Sequence, residues 1–282
     1  MATHITTTTR LSVSTWSLKR LIGQPAPYGP ASTTPLAFPA EGLPLLELPA
    51  QLATFGISTL EICHFHLPSI DPGYLSELRA SLQSAHVELF SLLIDDGDVT
   101  HPTNAARDLT WIASWLPIAG QLGATHARVI AGKSAATPAT LQTSAQALSQ
   151  LAEMAQAAGV RLMTENWLTL LSEPASVHTL LERLDGRVGL CFDFGNWSGP
   201  DKYDRLRSIV SYAESCHAKA HFTSPTTLDA DDYTRCLDIT RAAHFSGPYT
   251  LIYDGADPDE WAGLAREREV VAPYLHPTSQ TL

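Results

Sequence analysis

The stretch Val188-Gly189-Leu190-Cys191-Phe192-Asp193-Phe194-Gly195-Asn196-Trp197 begins as an apolar run and breaks into an acid, a glycine and an amide. Such a segment reads as a buried strand, Val188–Asp193, with a polar C-terminal end. The segment before it is built alike: Arg161–Glu165 runs out into Thr164-Glu165-Asn166-Trp167. So is the one after it, Cys216–Ala220, within Cys216-His217-Ala218-Lys219-Ala220-His221. Five further strands are expected at Leu11–Trp16, Thr59–His64, Val87–Leu93, His126–Ile130 and Tyr249–Tyr253. Successive starts lie roughly 25–50 residues apart, which leaves room for one strand, one helix and two loops each time.

Helical periodicity fills the gaps. Leu78 and Leu82 mark a helix over Pro72–Ser84. Asn104–Leu122 sets Leu109, Ile112, Trp115 and Ile118 on one face, with Pro117 expected to kink or break it. Thr140–Ala158 is stopped by Gly159, and Asp204–Ala213, Asp231–Ala243 and Asp257–Val271 complete the alternation. Eight βα units with no boundary predict one α/β domain over residues 1–282, a single (β/α)8 TIM barrel. The alternative is a doubly wound open sheet. No G-x-G-x-x-G follows the first strand, which speaks against its dinucleotide-binding form.

One segment breaks the alternation. Residues 24–49 hold Pro25, Pro27, Pro30, Pro35, Pro39, Pro44 and Pro49, seven of the 19 prolines. A stiff, extended, non-helical insertion is expected there, leaving the C-terminal rim after strand one. It reads as a lid, a contact between copies in a homo-oligomer, or a solvated insertion.

Composition narrows the function classes. The 282 residues carry 18 Lys plus Arg against 29 Asp plus Glu, a formal net charge of −11. That balance argues against non-specific nucleic-acid binding and against docking on anionic membranes. An apolar content of 44% is too high for a disordered chain. No apolar run is long enough for a transmembrane helix, and residues 1–10 lack the pattern of a secretory signal. Cys63, Cys191, Cys216 and Cys236 form no C-x-x-C pair and read as buried free thiols in a reducing cytoplasm.

In a barrel, strand C-termini carry the chemistry. Neighbouring strands lie about 4.8 Å apart, so Glu165, Asp193 and His217 can converge on one point. Two carboxylates and an imidazole suit a divalent Mn, Mg, Co, Fe or Zn ion with positions open for substrate or water.

With these strand ends in view, the chain resembles the xylose isomerase-like TIM-barrel superfamily, which spans sugar isomerases and epimerases, inosose dehydratases and endonuclease IV. The matching stretches are Leu60-Glu61-Ile62, Thr164-Glu165-Asn166, Asp193-Phe194-Gly195-Asn196 and His217-Ala218-Lys219. The resemblance implies that Glu165, Asp193 and His217 hold the metal and that Asn196 contacts metal or substrate. It also exposes a departure. Members that isomerise or epimerise sugars commonly have a metal-binding Glu on strand eight, and Ile252 stands in its place, with Asp254 two residues on.

Other rim residues are candidates. His66 reads as catalytic, substrate-binding or capping, and His64 as structural or substrate-facing. Arg128, charged within an apolar strand, is an inward anion or hydroxyl clamp or half of a buried ion pair. Lys219 and His221 continue the alternation from His217, and a partner for Lys219 is expected in Glu165 or Asp193. Asp95-Asp96-Gly97-Asp98 lacks the further ligands of a calcium loop and reads as a solvated turn. Trp16, Trp167 and Trp197 fall at strand ends, with faces suited to sugar C–H groups. Together these features predict a cytoplasmic, metal-dependent isomerase or epimerase of a sugar or polyol. It would work through a metal-stabilised enediolate, with Glu165, His66 and Lys219 catalytic. An inosose dehydratase-like lyase and a non-catalytic sugar-binding barrel are the alternatives.

Overall fold

The computed structural model describes residues 9–25, 28–32 and 42–275. Eight strands form a closed parallel barrel: β1 (Arg10–Ser14), β2 (Thr59–Cys63), β3 (Glu88–Ile94), β4 (His126–Val129), β5 (Arg161–Glu165), β6 (Gly189–Asp193), β7 (Ala213–Ala218) and β8 (Pro248–Leu251). Strand β8 returns to pair with β1 and closes the ring. Eight helices follow them in turn: α1 (Leu48–Phe55), α2 (Pro72–Ser84), α3 (Ala105–Leu122), α4 (Pro138–Ala157), α5 (Pro174–Leu184), α6 (Lys202–Ile209), α7 (Ala230–Ala242) and α8 (Glu260–Val271). A further short helix, Lys19–Ile22, follows β1, and a two-stranded hairpin of Phe222–Ser224 with Thr227–Leu228 lies between β7 and α7. This is the (β/α)8 barrel, not the open sheet.

Alternation along each strand sorts the side chains. On β6, Leu190 and Phe192 pack outward in the hydrophobic core with the helices, while Asp193 lines the barrel mouth. Register then sets depth. Glu165 pairs with Cys191 and Asp193 pairs with His217, so the strand ends step upward around the barrel.

Several local expectations need correction. Helix α3 runs through Pro117 without a break. Its buried face of Ile112, Trp115, Leu116 and Ala119 outweighs the one missing backbone bond. The proline-rich insertion ends sooner than expected, because Leu48 and Pro49 already open α1, where proline is tolerated. Pro27, Pro35 and Pro39 lie outside the described residues. The strands for Trp16 and His64 are shorter than expected: both residues stand in 3-10 turns, Thr15–Leu18 and His64–His66. Helices α1 and α5 and the hairpin had no sequence expectation. The acidic turn after β3 is braced rather than solvated, since Asp98 Oδ1 accepts from the backbone N–H groups of Thr100 (2.9 Å) and Lys133 (3.0 Å).

Candidate functional site

At the C-terminal mouth the barrel holds a cavity of about 280 Å³. His217 sits at its floor, with Nδ1 3.7 Å from Glu165 Oε2 and 3.7 Å from Asp193 Oδ2. Its other nitrogen, Nε2, lies 2.7 Å from Glu61 Oε2, and Glu61 is 0% exposed. An ionised carboxylate only accepts, so Nε2 carries the hydrogen and Nδ1 is turned to the two carboxylates.

Both carboxylates are held by local structure. Asp193 Oδ1 accepts from the backbone N–H of Gly195 (2.6 Å) and of Asn196 (2.8 Å), which leaves Oδ2 free for the cavity. The Asn166 side chain clamps the Asp193 backbone, accepting from its N–H at 2.8 Å and donating to its carbonyl at 3.0 Å. Asn196 Nδ2 donates to Glu165 Oε1 at 2.7 Å. The turn Asp193-Phe194-Gly195-Asn196 therefore orients both acids at once.

Arg128 meets both readings of its sequence position. It lines the cavity and is 3% exposed, and Nη2 pairs with Asp95 Oδ1 at 2.6 Å. Its Nε lies 3.1 Å from Glu165 Oε2, but neither atom has an aligned hydrogen-bond partner. That contact is an ion pair without a hydrogen bond. Nη1 is buried and unpartnered as well, and the guanidinium stands 5.4 Å from the Trp167 ring.

The electrostatics follow. Burial pushes the Glu165 carboxyl up, but Arg128, His217 and the Asn196 amide outweigh it and bring it down to about 2. Burial works against a charged His217, and the acidic groups of Cys191, Glu61 and Glu165 outweigh it, so its pKa stands well above the ordinary imidazole value. Burial, with help from the Glu165 and Glu61 charges and against the pull of His217, pushes the Cys191 thiol up to about 11.

The donor set fits a divalent ion. Ligand atoms about 2.0–2.3 Å from one ion lie about 3–4 Å apart, and His217 Nδ1 stands at such a spacing, 3.7 Å, from each of the two carboxylates. Glu165 Oε2 has no hydrogen-bond donor of its own. Among the described residues, the group whose donor atoms all lie within 4.8 Å of one another is Glu165, Cys191 and His217; Asp193, expected as the third ligand, is not in it, and a thiol is.

Residues 49–267 match the family described as the xylose isomerase-like TIM barrel. The chain belongs to that family. Among solved structures, a xylose isomerase-like TIM barrel protein from Mycobacterium smegmatis in complex with magnesium is 13% identical, with a TM-score of 0.67 over 95% of this chain and 98% of that one. The D-allulose 3-epimerase from Methylomonas sp. is 14% identical, with a TM-score of 0.69 over 95% and 99%. The probable 3-DHS dehydratase AsbF from Bacillus anthracis is 13% identical, with a TM-score of 0.70 over 93% and 98%. At such identities the likeness is one of fold. Among curated proteins, none matches the sequence.

Within this family barrel the remaining candidates divide. Trp16, Trp167, Asn196, Lys219 and Ile252 line the cavity with the residues above. Trp197 does not: it is 4% exposed, its Nε1 donates to the Leu171 carbonyl at 3.2 Å, and Arg205 lies over its ring. His64 and His66 are absent from the lining because the chain leaves extended geometry at His64. His64 accepts at Nδ1 from the Asp95 N–H and lies 2.8 Å from the Tyr28 carbonyl at Nε2. His66 Nδ1 meets Thr15 Oγ1 at 2.8 Å, and burial lowers its pKa to about 4.

His221 is exposed and borders a neighbouring depression with Asp254, beyond the end of β7. Lys219 is paired, but with Asp254 at 3.1 Å rather than with Glu165 or Asp193. Asp254 also holds Lys19 at 3.0 Å, so it is tied at the rim. Burial disfavours a charged Lys219, but Asp193 and Asp254 outweigh it and raise its pKa.

Glu61, within Leu60-Glu61-Ile62, is a site residue for which the sequence alone assigns no role. Its signal was an acid at the centre of an otherwise apolar strand, where an unpaired charge is costly.

Proposed function

We propose that the chain is a divalent-metal-dependent isomerase or epimerase of a small sugar or polyol, working through an enediolate. The observation that carries this reading is His217 Nδ1 facing Glu165 Oε2 and Asp193 Oδ2 at 3.7 Å each on a cavity floor. Glu165, Asp193 and His217 would hold Mn, Mg, Co, Fe or Zn, and when bound the ion supplies a Lewis acid for a carbonyl and its adjacent hydroxyl. Trp16 and Trp167 offer faces for sugar C–H groups at the mouth. Arg128 donates to a substrate oxygen. Glu165 is the carboxylate in reach of a carbon-bound proton, and Lys219, held charged, returns a proton to oxygen. Four free, buried cysteines support action in a reducing cytoplasm.

A second reading, a dehydratase-like lyase, is favoured by Ile252. The cavity wall just past the end of β8 presents an apolar side chain where two-base epimerisation needs a second carboxylate. Loss of water needs one base and one acid, and Lys219 would protonate the leaving hydroxyl.

Metal content after purification without chelator, followed by turnover of aldoses, ketoses and inosose-like polyols with and without Mn²⁺, tests the proposal. Glu165→Gln is expected to abolish metal retention and turnover together. A wild-type protein that neither contains nor takes up a divalent ion would refute it.

A further inference from the structure

We infer that Cys191 is a ligand of the ion, so that the centre prefers a thiophilic ion, Zn²⁺, Co²⁺ or Fe²⁺, to Mg²⁺ or Mn²⁺. The inference rests on the metal reading above and deepens it. Among the described residues, the group of side chains whose donor atoms all lie within 4.8 Å of one another is Glu165, Cys191 and His217. Asp193 Oδ2 stands 3.7 Å from His217 Nδ1 but outside that group.

Strand register accounts for the place of the thiol. Residues 191 and 193 share the inward face of β6. Cys191 pairs with Glu165 on β5 and with Ser215 on β7, while Asp193 pairs with His217. Cys191 therefore stands level with Glu165 and one inward step below Asp193 and His217. It is 0% exposed and does not line the cavity, whereas Glu165, Asp193 and His217 do. The sulfur lies on the buried side of the floor, away from the open mouth.

The other cysteines are placed differently. Cys216 and Cys236 belong to the hydrophobic core cluster, and Cys191 does not. Cys63 lines the cavity with its Sγ 3.8 Å from Ser14 Oγ. Cys191 is thus the thiol set among a carboxylate, an imidazole and a hydroxyl.

A thiol binds a metal as the thiolate. The S–H proton leaves to solvent, both electrons of that bond stay on sulfur and form the sulfur–metal bond, and no oxidant or reductant takes part. Arg128 Nε, 3.1 Å from Glu165 Oε2, brings a fixed positive charge that favours a third anion beside the two carboxylates. A soft thiolate strengthens binding of Zn²⁺, Co²⁺ and Fe²⁺ more than that of Mg²⁺ and Mn²⁺, which suit oxygen donors.

Titration with Co²⁺, followed by absorption, tests this, because a thiolate on Co²⁺ gives an intense near-ultraviolet charge-transfer band that oxygen and nitrogen donors lack. The wild type and Cys63→Ser should show the band, and Cys191→Ser should lose it. In competition titrations Cys191→Ser should weaken Co²⁺ and Zn²⁺ binding by about tenfold or more and Mn²⁺ binding by less than about threefold. X-ray absorption of Zn²⁺-loaded Cys63→Ser should show a sulfur neighbour at about 2.3 Å, and it carries the test if Cys191→Ser fails to fold by thermal melting. Co²⁺ uptake without the band, a band or a Co²⁺-over-Mn²⁺ preference unchanged in Cys191→Ser, or a Zn²⁺ shell without sulfur overturns the inference and leaves the metal reading intact. A wild type that takes up none of Co²⁺, Zn²⁺ and Mn²⁺ overturns the metal reading itself.

Discussion

Glu61 Oε2 lies 2.7 Å from His217 Nε2 in the barrel interior, so a carboxylate on β2 decides which nitrogen of an imidazole on β7 faces the cavity. Such a partner fixes tautomer and ring orientation and makes the opposite nitrogen a better donor. Glu61→Ala should therefore weaken divalent-metal affinity by about 10–100-fold although residue 61 is no ligand. Glu61→Gln keeps the shape and should fall between. Mn²⁺ titration of the folded variants checks this, and an unchanged affinity in Glu61→Ala would mean that packing alone orients His217.

The tryptophans separate binding from stability. Trp167 lines the cavity, whereas Trp197 is buried behind it with its indole N–H on the Leu171 carbonyl. Trp167→Ala should raise KM several-fold, the loss of about 1 kcal/mol of ring contact, with little change in melting temperature. Trp197→Phe should leave KM alone and cost about 1–3 kcal/mol of stability through the lost hydrogen bond and packing. Steady-state kinetics with a turned-over sugar, alongside thermal melts, read the two effects. The opposite pattern would place the binding face elsewhere.

What was legible in the sequence follows the physics that each residue feels. The eight strands declared themselves because inward and outward faces alternate locally, and Glu165, Asp193 and His217 stood out because polar groups ended apolar runs. Helices α1 and α5 escaped notice although Pro49 and Pro174 open them in the first turn, where proline fits; proline reads first as a breaker. His64 and His66 were misplaced because the two-residue alternation holds only while the chain stays extended, and it turns at His64. The Glu61–His217 bond joins residues 156 positions apart, so nothing near Glu61 announces its partner. The Lys219–Asp254 pair was invisible for the same reason: which acid a rim lysine meets depends on how two loops cross.

Two glycines should respond to alanine in opposite directions. A Cβ at Gly120 in α3 would come 2.3 Å from the Ala158 carbonyl oxygen at the end of α4, and a backbone atom cannot yield as a side chain can. Gly120→Ala should cost about 1–3 kcal/mol by forcing the two segments apart. A Cβ at Gly73 in the first turn of α2 meets nothing within 4 Å. Gly73→Ala should gain up to about 1 kcal/mol from helix propensity and reduced unfolded-state freedom. Urea unfolding of both variants checks the pair. Equal stability would show that α3 and α4 can slide without cost.

His66 gives a pH dependence with a definite direction. Burial lowers its pKa from 6.5 to about 4 in the folded protein, so the unfolded chain binds the proton more readily. Its contribution to stability is complete above about pH 6.5 and is lost as pH falls from there toward about 4. Between pH 7 and pH 5 the loss from this one group is about 2 kcal/mol. His217 runs the other way, because its raised pKa gives stability that is present at low pH and lost as pH rises through the folded value. The effect of His66 therefore has to be read as a difference between proteins. Relative to the wild type, His66→Gln should be about 2 kcal/mol better off at pH 5 than at pH 7, whatever its absolute stability. Urea midpoints at the two pH values measure this. A difference that does not change with pH would mean that His66 takes up its proton as readily in the folded protein as in the unfolded chain, so that its burial against Thr15 does not disfavour the charged ring.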